Sequence, residues 1–207
     1  GFNGGSVLSA DPAATSFTLV TTCLAAAAGA LAAMTTSWSV AGKPDLSMSL
    51  NGILAGLVGI TAGADTVTIF GSVSIGVVAG VLVVASVVAF DRIRIDDPVG
   101  AVSVHLVCGI WGTLAVGIFS TNPEHSFLIQ LWGVVVYGLF TVACAAALFA
   151  GLRLSMGIRV SPEEETEGLD YAEHGSHGYD FGGGTRGLED EAPPSRVSTA
   201  TLAPNQG

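Results

Sequence analysis

The chain has 207 residues, half of them apolar, with 7 Lys and Arg against 17 Asp and Glu for a net charge of −10. A mean hydropathy of +0.63 with only 12% charged residues excludes an ordinary soluble domain. The acidic balance argues against nucleic-acid binding, which needs a basic face.

Charge is unevenly placed. Ten of the 17 acidic residues lie after Gly157, and upstream of it charges fall only between long apolar runs. The pattern is a membrane domain over 1–157 followed by a hydrophilic acidic tail. Residues 1–10 look like the end of a helix whose beginning is absent. The chain starts at Gly1 in mid-pattern, without an initiator Met or a signal peptide, as expected of a fragment.

Charge-free runs then cover 12–42, 46–64, 66–90, 98–123 and 125–152. A bilayer-spanning helix needs about 20 mainly apolar residues, so each run is long enough, the second only just. The expected helices lie near 17–38, 49–63, 71–90, 98–119 and 127–154. The second could instead be a re-entrant or buried half-helix. Lys43, Arg92, Arg94 and Arg153 fall in alternate connections, on the same side as the tail. The other connections carry Asp11, Asp65 and Glu124 with no Lys or Arg. The positive-inside rule therefore puts the tail in the cytoplasm.

Glycines recur within the spans, in Gly52-x-x-x-Gly56, Gly59-x-x-x-Gly63 and Gly76-x-x-x-Gly80. Small residues at that spacing let helix backbones approach closely, the mark of a polytopic bundle. Trp38 suits an interfacial anchor, whereas Trp111 lies well inside its helix. Cys23, Cys108 and Cys144 are widely separated inside apolar segments and imply no disulfide framework.

His105 is the one imidazole inside a span. Asp96 or Asp97 can cap its helix, and Pro98 suits the first turn. At α-helical spacing His105 shares a face with Pro98, Ala101, Val102, Cys108, Gly109 and Gly112, while Leu106, Ile110, Leu114 and Ile118 lie to another side. An ionisable group on a face of small residues points to a polar path. The alternatives are a neutral histidine bonded to a neighbouring helix, or a His-x-x-Cys metal pair, which two ligands alone do not make.

Residues 96–114, with Asp96-Asp97-Pro98 and then His105-x-x-Cys108-Gly109-x-x-Gly112, resemble the signature of the Amt/Mep/Rh ammonium transporters, bacterial and archaeal Amt branch. Three further stretches match in order. Gly1-Phe2-Asn3-Gly4-Gly5-Ser6 is similar to the end of the family's sixth helix, and 51–63 to its short eighth helix. Residues 159–175, including His174, resemble its cytoplasmic C-terminal region, and the resemblance as a whole covers about 1–181.

The resemblance implies an all-α membrane protein: five full transmembrane helices and the end of a sixth, from an eleven-helix inverted-repeat fold whose pore lies between the halves. It implies no enzyme activity and no cofactor. Ammonium would be recruited at an outer vestibule, deprotonated, and passed as ammonia along an apolar pore. Phe2 would be the inner of two stacked phenylalanines at the outer mouth. Ser6 would help recruit ammonium, and His105 would be the second histidine of a pair whose first lies outside this chain. The family has glycine where this chain has Leu106, which bears on packing beside His105. Implied partners are the bilayer of the cell membrane, two further copies in a homotrimer, and a PII-family signal protein at the cytoplasmic face. Residues 158–181 would form the cytoplasmic region that couples protomers, and 182–207 read as a disordered acidic tail. His177 would be an ordinary surface histidine. Two other readings stay open: an ammonium sensor signalling through a partner, and an inactive truncated product.

Overall fold

A computed structural model describes residues 1–176 and 178. The elements in chain order are α1 (Phe2–Ser6), α2 (Pro12–Ala41), α3 (Leu46–Thr61), α4 (Ile69–Arg92), a π-helical segment (Val102–Val107), α5 (Cys108–Phe119), α6 (Phe127–Ser155), α7 (Pro162–Glu167) and α8 (Leu169–His174). His177, expected as a surface histidine, and the acidic tail expected over 182–207 lie outside the described residues.

Local chemistry sets the helix ends. Asp11 caps α2 by accepting from the Ala13 N–H, and Pro12 takes the first helical position, where its missing donor costs nothing. Gly42, at φ 74°, ends the same helix in the left-handed region. The Asp45 carboxylate accepts from Met48 N–H at the start of α3, and Thr68 from Gly71 N–H at the start of α4.

Among the described residues four helices are long and apolar enough to cross a membrane: Pro12–Ala41, Ile69–Arg92, Val102–Phe119 and Phe127–Ser155. The remaining expected span, near 49–63, is α3. Its 16 residues measure about 24 Å, short of the roughly 30 Å hydrocarbon core. It is bounded by the Asp45 cap and by a turn that begins at Ala62.

The core is a three-helix contact built on small residues. A Cβ on Gly56 of α3 or on Gly76 of α4 would run into the Ala25 carbonyl of α2. One turn along, Gly52 and Gly80 meet the Gly29 carbonyl in the same way. Ala25 pairs with Gly56 and Gly29 with Gly52, so α3 runs antiparallel to α2. The order Gly76, Gly80 against the same two residues makes α4 parallel to α2. Dispersion contacts between backbones at that range hold helices together where lipid supplies no hydrophobic drive. Gly59 serves a different seam, where a Cβ on Gly112 of α5 would strike the Gly59 carbonyl. The mid-span Trp111 donates its indole N–H to the Ile75 carbonyl at 3.1 Å, which settles its polar atom inside the bundle.

The connections sort to two ends. Thr121 N–H donates to the Thr66 carbonyl at 2.8 Å, and its hydroxyl to the same atom at 2.9 Å. The turn carrying Asp65 and the loop carrying Glu124 therefore lie side by side. At the other end, Asn51 near the start of α3 donates to the Val99 carbonyl at 3.4 Å. Within this part of the chain the acidic connections at Asp65 and Glu124 thus share one end, and the starts of α3 and of the π-helical segment share the other.

The described part of the chain from Leu148 on forms a second compact unit. Within it Ser161 and Glu164 form a reciprocal capping box at the start of α7. Arg159 pairs with Glu165 at 3.0 Å, both well exposed, a geometry worth little in water.

Candidate functional site

The histidine-bearing helix does not start where the sequence placed it. Pro98 lies in a turn, the helical run begins at Ala101, and Val102–Val107 is π-helical. The cause is Asp97. Its carboxylate accepts from the Val102 N–H at 2.8 Å, the Ser103 N–H at 3.0 Å and the Ser103 hydroxyl at 2.8 Å. Gly100, at φ 75°, lets the chain turn tightly between the acceptor and its donors. Desolvation raises the Asp97 carboxyl, but these hydrogen bonds outweigh it and hold the group below its ordinary value.

A lowered pKa means that the stabilisation is present above the ordinary aspartate range and is lost as pH falls through the lowered value. The thermal stability of Asp97→Asn in detergent is therefore expected to lie below wild type at neutral pH. The gap should close on acidification. An unchanged gap down to full protonation would show that Asp97 contributes no charge-dependent stability.

The π segment also changes which residues share a face. Cys108 is fully buried, with Sγ 3.6 Å from both the Ala79 and Ser103 carbonyls. His105 is exposed on another side. The shared His105–Cys108 face expected from α-helical spacing is therefore corrected, and the two do not converge as ligands. Among the described residues no three His, Cys, Asp or Glu side chains come together as a metal site.

His105 opens into a cavity of about 610 Å³ whose walls include Phe2, Leu54, Leu57 and Val58, with Thr113 beside it. Sequence elements 103 residues apart thus meet at one space. Among the described residues no side chain hydrogen-bonds the imidazole, which faces the cavity. Leu106 points elsewhere, lining a second space of about 400 Å³ between α5 and α6 that His105 also reaches. The Leu106 side chain does not line the cavity shared with Phe2.

Ser6 does not line that cavity. Its hydroxyl donates to the Phe2 carbonyl at 3.0 Å, and it borders a smaller space of about 200 Å³ with Thr18 and Asp65. Asn3 and Thr61 border both spaces. The sequence reading assigned Asn3 no role. It is buried and donates to the Thr22 hydroxyl at 3.1 Å, which in turn donates to the Thr18 carbonyl at 2.6 Å. This chain of bonds ties α1, and with it Phe2, to α2. A buried amide in so short a helix is intelligible only once its partner is known.

Comparison with known proteins places these features in context. The profile of the Ammonium Transporter Family matches residues 1–179. A Synechocystis sp. protein, sll1017, whose name assigns it to ammonium transport, is 49% identical over 181 residues, covering 84% of this chain and 41% of that protein. Ammonium transporter Amt2 of Archaeoglobus fulgidus is 40% identical over 197 residues, covering 86% and 42%. Among solved structures, a Sensor Amt Protein superposes with a TM-score of 0.77 at 34% identity, over 84% of this chain and 45% of that one. The chain spans about two fifths of the length of the curated relatives it matches.

Proposed function

This chain belongs to the ammonium transporter family, and from that premise we propose that the protein containing it moves ammonium across the cell membrane. The observation that carries the proposal is the apolar cavity shared by Phe2 and His105. Taking a bare cation into such a space costs on the order of tens of kcal/mol by Born solvation. A passage of this kind therefore favours a neutral species. Ammonium binds at the outer mouth, where the Phe2 ring face attracts the cation and a hydroxyl such as Ser6 accepts a hydrogen bond. It then gives up a proton to water at the mouth, leaving neutral ammonia to enter the passage. The His105 imidazole offers a ring nitrogen that accepts a hydrogen bond from ammonia and can serve as a proton relay. The missing walls of the passage come from the part of the protein outside this chain, as the inverted-repeat architecture requires. No covalent intermediate with the protein is formed.

In the same reading the protein is a homotrimer with its C-terminus in the cytoplasm. Residues 158–181 form a cytoplasmic region coupling protomers, and 182–207 an acidic tail. A PII-family signal protein is the partner proposed for that face. For topology, cysteines placed at 43 and 93 should be labelled only from the cytoplasmic side, and those at 65 and 124 only from outside. Reversed labelling would overturn the orientation drawn from Lys43, Arg92, Arg94 and Arg153.

The direct test reconstitutes the full-length protein in liposomes and applies ammonium or potassium gradients. Ammonium-dependent flux with little potassium flux supports transport. The likeness to the Sensor Amt Protein favours one second reading, ammonium sensing. Tight ammonium binding with no flux would establish sensing and reject transport.

A further inference from the structure

We propose that Asp97 is a positioning residue: its carboxylate holds the π-helical turn that aims His105 into the cavity while the opposite side of the same turn stays packed on α4. The proposal rests on the reading of His105 as a pore residue. In an α-helix, at about 100° per residue, Ser103 and Cys108 would stand about 140° apart, and His105 and Cys108 only about 60° apart. The wider π turn, with its i→i+5 bonding, brings residues five apart to the same side. Ser103 and Cys108 are both fully buried, and the Cys108 Sγ lies 3.6 Å from the Ser103 carbonyl. Val104 and Cys108 share a core cluster with Ala79, Val83 and Val84 of α4. The same change of pitch opens the angle between His105 and Cys108, and so turns the imidazole away from α4.

Pitch of this kind is uncommon and must be held. Asp97 is placed to hold it. Its Oδ1 takes the Val102 N–H, and its Oδ2 takes both the N–H and the hydroxyl of Ser103. These three bonds fix where the turn begins and which way Ser103 faces. His105 is two residues further on. Asp97 does not line the cavity shared with Phe2, so its effect on transport passes through the backbone it holds.

The test uses the full-length protein in liposomes, with Asp97→Ala, Asp97→Asn, Ser103→Ala and His105→Ala compared with Asp45→Ala. The last removes the Asp45 cap of α3, bonded to the Met48 N–H at 2.8 Å, and serves as a control for loss of a cap alone. Ammonium flux per inserted protein is read together with the ¹⁵N imidazole signal that disappears in His105→Ala. Asp97→Ala should lower flux by roughly tenfold to a hundredfold, as small misplacements of a working group do, and should shift the His105 signal. Asp97→Asn, which keeps one acceptor, should recover part of both. Ser103→Ala should move both in the same direction by less, and Asp45→Ala should move neither.

An unshifted His105 signal in Asp97→Ala overturns the proposal, as does a flux loss no greater than that of Asp45→Ala. If Asp97→Ala does not reach the membrane, Ser103→Ala decides by the same signal. Wild-type flux in His105→Ala would instead refute the pore reading. The positioning proposal then fails with it as a statement about transport, while the imidazole signal still reports whether Asp97 sets the orientation.

Discussion

His105→Ala in the full-length protein is expected to reach the membrane folded and to lose ammonium flux by roughly a hundredfold, the scale of removing a positioned proton-transfer group. The side chain projects into open space beside Phe2, Leu57 and Val58 and is not packed in the core, so truncation leaves the α4 contacts of Val104 and Cys108 intact. What disappears is the polar atom facing the passing molecule. Removal also widens the passage, so leakage of similar-sized cations should rise relative to ammonium flux. His105→Leu should block more completely than alanine, because it refills the space without an acceptor. A core histidine would behave otherwise: protein would be lost from the membrane, with normal flux through whatever remained. Flux per inserted protein, measured with ammonium and with potassium, separates the two. Wild-type flux and selectivity in His105→Ala would remove His105 from the conduction path.

The second large effect is structural. Gly76→Ala should destabilise the bundle severely, and Gly63→Ala much less, although both glycines stand in the same kind of sequence motif. At Gly76 an added Cβ meets the backbone of Ala25, which cannot move without carrying α2 with it. At Gly63 it meets the side chains of Val116 and Val67, at 3.1 and 3.3 Å, and these can give by a small rotation. Overpacking a tight site typically costs about 1–3 kcal/mol, and a backbone clash belongs at the upper end. Gly63→Ala should stay below about 1 kcal/mol. Thermal unfolding of the two variants in detergent gives the comparison. Equal stability of Gly76→Ala and wild type would mean that α2 and α4 do not meet at Ala25.

Both expectations depend on features that the linear pattern carries unequally. Apolar runs bounded by charge located five helices, of which α3 is too short to cross the full hydrocarbon core and the other four are long enough, because desolvating a charge or an unpaired peptide group in lipid is so costly that few arrangements survive it. The alternation of basic and acidic connections determined that the connections sort to two ends, which the Thr121–Thr66 and Asn51–Val99 bonds then display. The ordered motifs determined the family. Caps at Asp11, Asp45 and Thr68 are local, each bonded within three residues, although the charge and hydropathy pattern did not single them out.

What only the tertiary structure decided involves partners distant in sequence or a change of helical pitch. Spacing placed Gly56 and Gly63 on equal footing. The packing made Gly56 a backbone contact with α2 and put Gly63 in a turn beside two valines. An assumed 3.6-residue repeat put His105 and Cys108 on one face. The π turn separated them, since its bonding is set by an acceptor, Asp97, lying before the helix, and by the burial of Ser103 and Cys108. Phe2 and His105 are 103 positions apart, and Asn3 finds Thr22 across a turn. A pattern along the chain records which residues avoid water or lipid; which of them touch, and at what pitch the helix presents them, is decided by the helices packed on either side.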